Sequence, residues 1–142
     1  AAVQALGQIA PKGDQLSIAA VIGNLKDIDA DVRMSAAQVL AQIVQKGDQQ
    51  AITAVIDYLD DNQWSVRQAA LGALAQITKK GDRRSIAAVI GCLEDSDFLV
   101  RKAAVDTLAQ IVETGDQHAI DALKALLAWE WSESVKIAAG KL

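Results

Sequence analysis

KGDQQAITAVIDYLDDNQWSVRQAALGALAQITK, residues 46–79, decides how this chain is read. Displaced by 34 residues in either direction, the stretch meets itself again. Gly-Asp recurs at Gly13-Asp14, Gly47-Asp48, Gly81-Asp82 and Gly115-Asp116. Val-Arg recurs at Val32-Arg33, Val66-Arg67 and Val100-Arg101, with Val135-Lys136 one residue late. Residues 46–79 and 80–113 are identical at 17 of 34 positions, so the chain is a tandem array and each copy is one structural unit.

Each unit reads as two helices. Gly47 suits the left-handed position that ends one helix, and Asp48 is an N-cap acceptor for the next. Ile52, Val55, Ile56 and Leu59 then fall at i, i+3, i+4 and i+7, one face of helix A. A polar turn follows. In the sister units Asp29 and Asp97 stand where an N-cap belongs, while Gln63 is a poorer cap. Helix B carries Val66, Ala70, Leu74 and Ile77 on one face, with Leu71 beside it towards the neighbouring unit. The units are a partial one at 1–11, full ones at 12–45, 46–79 and 80–113, and a partial, irregular one at 114–142. The last holds one extra residue near Trp129-Glu130-Trp131, and Ser132 is expected to cap its final helix. The sequence begins and ends inside a unit, so we expect a fragment of a longer array or end-to-end self-association.

Composition narrows the function classes. The 142 residues are 51% apolar but only 4% aromatic, so aliphatic and small side chains must build the core. One proline, Pro11, leaves the helices uninterrupted. A net charge of −4 without a basic stripe argues against nucleic acid. No apolar run approaches the roughly 20 residues that cross a bilayer, so membrane insertion is not expected. A single cysteine rules out an internal disulfide framework and favours an intracellular setting.

The pattern Leu59-x-Asp61-x-x-x-x-Val66-Arg67-x-x-Ala70, ending in Leu74 and Ile77, resembles the HEAT repeat, especially the short variety called HEAT-like or phycobilisome-lyase-like. The resemblance spans the chain. It implies an all-α fold: a right-handed α-solenoid of antiparallel helix pairs, with A helices on the convex side and B helices on the concave side. It also implies a ladder of turn aspartates and helix-B arginines between neighbouring units. The matching positions are Asp27 with Arg33, Asp61 with Arg67, and Asp95 with Arg101. Glu130 and Lys136 take those places in the last unit, where the arginine fork is lost. Arg67, with full units on both sides, is expected to matter more than Arg101. The roles implied are protein binding and scaffolding, so the leading reading is a non-catalytic module with a protein partner. A subunit of a bilin chromophore lyase-like enzyme and a consensus or designed array are the alternatives.

No residue constellation points to catalysis, a cofactor or a metal. His118 and Cys92 are the single His and Cys, and both lack the partners that ligation or nucleophilic attack requires. The candidates for partner contact are on helix B and the A–B edge. Gln42, Gln76 and Gln110 repeat in register, and Gln38 stands beside them, in a column that is Gly72 in the next unit. Gln68 and Lys102 share a variable column with Met34. Trp64 and Phe98 form an aromatic column at the edge, a residue type that dominates binding hot spots. A soluble helix surface accounts for the glutamines, and packing between turns accounts for the aromatics, unless a partner is found on them.

Overall fold

The computed structural model describes residues 2–141. Its helices are α1 (Ala2–Ile9), α2 (Gln15–Asn24), α3 (Ala30–Ile43), α4 (Gln49–Ile56), α5 (Trp64–Ile77), α6 (Arg83–Gly91), α7 (Phe98–Ile111), α8 (Gln117–Trp129) and α9 (Glu133–Gly140). The even-numbered helices are the A helices and α3, α5, α7 and α9 the B helices. α4 and α6 tighten into 3-10 turns over Asp57–Asp60 and Cys92–Glu94, which bring Leu59 and Leu93 onto the core.

The start of every A helix is capped in the same way. Asp14, Asp48, Asp82 and Asp116 accept from the backbone N–H three residues on, at 2.9–3.0 Å. The preceding glycines have φ between +84° and +92°. They do not end the B helices, however. α3 stops at Ile43 with Val44 extended, and Gly47 lies beyond that stop, in the turn into α4. There its N–H reaches across the helix pair to the carbonyl of Ile77, at 2.6 Å. Gly13 and Gly81 do the same with Ile43 and Ile111, at 2.6 and 2.8 Å. The left-handed glycine therefore ties the start of helix A to the end of helix B. A β-carbon at Gly47 would also stand 2.6 Å from the Lys79 side chain.

B-helix starts differ. Asp29 and Asp97 cap through their side chains, whereas Gln63 and Ser132 make no side-chain cap. Ser132 was expected to cap α9 and does not. Its hydroxyl pairs with that of Ser134 at 2.9 Å, and the carboxylate of Glu130 takes the N–H groups of Trp131 and Ser132 instead.

The B helices pack directly on one another, α3 on α5 and α5 on α7, while successive A helices touch lightly. That asymmetry curves the stack and puts the B helices on its inner side. Small residues help: Ala36, Ala37, Ala70 and Ala104 on the B helices are fully buried. Between the layers run Ile18, Val21, Ile52, Val55, Leu74 and Leu108, all with no exposed surface. At about 1.5–3 kcal/mol for each large aliphatic side chain, this strip is the main favourable term. Thr107 is buried at the α5–α7 junction, and its hydroxyl donates to the carbonyl of Leu71 at 3.1 Å.

The ladder is built differently from the pairing expected. Each arginine donates Nη1 to the backbone carbonyl of the aspartate in its own turn: Arg33 to Asp27, Arg67 to Asp61, Arg101 to Asp95, at 2.7–2.9 Å. The carboxylate comes from the following pair. Arg33 forks onto Asp61, Arg67 onto Asp95 and Arg101 onto Glu130, with two N–H···O bonds each. The last unit therefore keeps its rung, because Glu130 receives a full fork. It is also the most buried rung, since the Glu130 carboxylate has 0% exposure and Arg101 lies 5.7 Å above the Trp129 ring.

Two predictions follow from the rungs. Truncating one partner of a buried pair strands the other. Arg101→Ala should therefore lower stability by about 2–4 kcal/mol, at least as much as Arg67→Ala, read from urea midpoints. A larger loss for Arg67→Ala would restore the ranking expected from sequence. The second concerns acid. Burial pushes the Asp61 carboxyl up, but the hydrogen bonds from Arg33 and the Gln63 N–H, with the Arg33 and Arg67 charges, outweigh it and hold it below its usual range. The Arg101 fork does the same for Glu130 against a smaller desolvation, helped by the Ser132 and Trp131 N–H groups. Carboxylates held low when folded bind protons more readily when unfolded, so stability falls as pH drops. Urea midpoints should fall between about pH 5 and pH 3, and fall less in the Arg33→Ala, Arg101→Ala double variant.

Candidate partner-binding face

Where α3 and α5 lie side by side, their inner faces leave an open groove of about 460 Å³. Its floor is Ala41, Ala69 and Ala73, with Gly72 opening one side. Its walls are Met34, Gln38, Gln42, Ser65, Gln68 and Gln76. The groove exists because the packing face of helix B uses alanine. The i, i+4 recurrence that brings the helices close also keeps side chains short between them. No charged side chain lines it. Four amides converge on one cleft, each able to donate and accept.

The structure thus brings Gln38, Gln42, Gln68 and Gln76 together. It does not bring Gln110 or Lys102 into the same groove. Both are on α7, where the Gln110 amide leans on the carbonyl of Asp106 at 3.4 Å and Lys102 pairs with Asp106 at 3.1 Å in an exposed bridge. Trp64 and Phe98 stand at the first residues of α5 and α7, away from the groove, 43% and 47% exposed. Asp27, Asp61, Asp95, Arg33, Arg67 and Arg101 are occupied with backbone or ladder contacts. Sequence reasoning passed over Ser65 and the alanine floor. The signal was there, since alanine holds the column of Ala69 and Ala103, but alanine in a helix is read first as propensity.

Cys92 is buried, and its thiol leans on the carbonyl of Ala88 at 3.6 Å. Burial, with the charges of Asp95 and Asp60 behind it, pushes the thiol up to about 12. A thiol so placed is not an activated nucleophile. Among the described residues no cluster of three His, Cys, Asp or Glu side chains is arranged to hold a metal, and no helix is long and apolar enough to cross a membrane.

Residues 1–75 and 56–141 both match the family model described as HEAT repeats. The chain belongs to the HEAT-repeat family. A similar solved structure is "Designed armadillo repeat protein YIII(Dq.V1)4CPAF in complex with peptide (KR)4", with a TM-score of 0.72 over 98% of this chain and 71% of that one. At 22% identity it shows the shared fold, an α-solenoid, and no more. Among curated proteins nothing matches the sequence. HEAT arrays of this kind are typically protein-binding scaffolds.

The state of Cys92 is open to a direct check. At pH 8 a maleimide should label the folded HEAT array at least about tenfold more slowly than the same chain in denaturant. Equal rates would mean that the thiol is reachable and ionised.

Proposed function

We propose that this HEAT array is a non-catalytic binding module whose concave face takes an extended segment of a partner protein. The groove between α3 and α5 carries the reading. Glutamine amides on facing walls pair with a peptide backbone whatever its sequence, because each amide offers both a donor and an acceptor. Small residues on the floor let that backbone approach, and Met34 supplies an adaptable apolar contact. The neighbouring solved structure is described in complex with peptide (KR)4, which supports a peptide as the kind of partner. The lining here is uncharged, so backbone and small side chains are the chemistry it suits, rather than a basic peptide.

Each neutral hydrogen bond is worth only about 0.5–1.5 kcal/mol net, so the amides have to act together. Random-sequence peptides displayed on phage would be selected on the wild-type array, and the best binder measured by fluorescence anisotropy. Gln42→Ala, Gln68→Ala and Gln76→Ala combined should weaken it by at least about tenfold with helicity and melting temperature unchanged. Trp64→Ala with Phe98→Ala should leave it intact. The reverse result would move the interface to the aromatic edge and end the concave reading.

A further inference from the structure

Charge is spread unevenly over the array. The A–B edge, residues 26–33, 57–67, 94–101 and 130–136, holds eleven side-chain carboxylates against five lysines and arginines. The remaining residues hold seven against nine, so the net negative charge of the chain sits on this edge. Three of the five cations do not offset it towards solvent. Arg33, Arg67 and Arg101 are 12–13% exposed, and each is bound to a ladder carboxylate. Asp29, Asp31, Asp60, Glu94 and Glu133 are exposed and make no ion pair among the described residues. The A helices end at this edge and the B helices begin there. Their terminal half-charges oppose one another, so the side chains set the sign.

Aromatic surface runs along the same edge. Trp64 and Phe98 open α5 and α7, each in an internal unit with a helix pair on either side, and they stay 43% and 47% exposed. Trp131 is 90% exposed, and Ser96 and Asn62, in its column of the internal units, are exposed too. The edge is therefore open along its length, wherever the array begins and ends. Within the chain the edge already holds one guanidinium in this way. Arg101 lies 5.7 Å above the Trp129 ring while Glu130 takes its fork. A planar cation with an apolar face is the group that an aromatic ring beside a carboxylate suits best.

We propose that the A–B edge is a second docking surface, which takes an arginine-bearing segment of a partner protein. Arginines of that segment stack on Trp64, Phe98 and Trp131 and pair with carboxylates of the same turns, Asp60, Glu94 and Glu133. The edge lies apart from the neutral groove, so it stands whether or not the groove takes a peptide.

A fluorescently labelled peptide of alternating arginine and glycine, titrated with the array and followed by anisotropy, tests this. It should bind, the lysine-glycine counterpart at least about threefold more weakly, and the glutamate-glycine counterpart not at all. Trp64→Ala with Phe98→Ala should weaken the arginine peptide by at least about fivefold. Asp60→Lys with Glu94→Lys should weaken it by at least about tenfold. Asp106→Lys with Asp121→Lys, the same change in net charge on α7 and α8 away from the edge, should leave it within about twofold. Helicity should be unchanged in every variant. No binding of the arginine peptide, equal losses in the two charge-reversed variants, or indifference to the aromatic pair would overturn the proposal. A loss in the Gln42→Ala, Gln68→Ala, Gln76→Ala variant in place of the edge variants would put the peptide in the groove, which overturns the edge and leaves the concave reading standing.

Discussion

Each arginine of the ladder is bound on two sides at once. One edge of the guanidinium is fixed to a carbonyl in the turn of its own helix pair, and the other forks onto a carboxylate of the next pair. The planar group therefore sets a distance and an angle between neighbouring turns, which a lysine cannot do. Its partners are only 7–11% exposed at Asp61 and Asp95, so the contact has left water and its geometry is enforced by the cost of stranding either charge. A buried ion pair is weak evidence for net stability. Its consequence here is register: the fork on one side and the carbonyl on the other fix how each turn sits against the next.

Curvature and groove follow from that register. Short side chains let α3, α5 and α7 pack directly on one another, while successive A helices touch lightly. A concave face made of short side chains cannot be smooth, because the longer residues flanking the alanines stand up as walls. Glutamine on those walls keeps the face soluble without charge. The same choice that packs the array thus leaves a neutral, amide-lined channel on it.

The period, the helix pairs and the core columns were legible in the sequence because each is a local pattern repeated in phase. The pairing of the ladder was not. Asp61 lies six residues before Arg67 and twenty-eight after Arg33, and only the stacking decides which arginine takes its carboxylate. Gly47 shows the same limit. Its left-handed backbone was readable from residue type, but its bond to Ile77 spans a whole helix pair. For the candidate site, the glutamine columns were visible. That α3 and α5 join four of them in one cleft, and that Gln110 folds back on its own helix, depends on the spacing of helices.

The extra residue before Glu130 shows what the ladder tolerates. An insertion in the A–B turn should displace the acceptor from the arginine above it. At this rung the acceptor is glutamate, one methylene longer than the aspartate of the other units, and the fork is kept at 2.6 and 3.0 Å. Its carboxylate also accepts from the N–H of Ser132, as Asp61 and Asp95 do from Gln63 and Asp97 two residues on, and adds the N–H of Trp131. The displaced turn brings the Trp129 ring under the guanidinium, a contact the other rungs lack. The irregular unit thus departs from the repeat in sequence while preserving its one long-range constraint, and the added methylene is what reconciles the two.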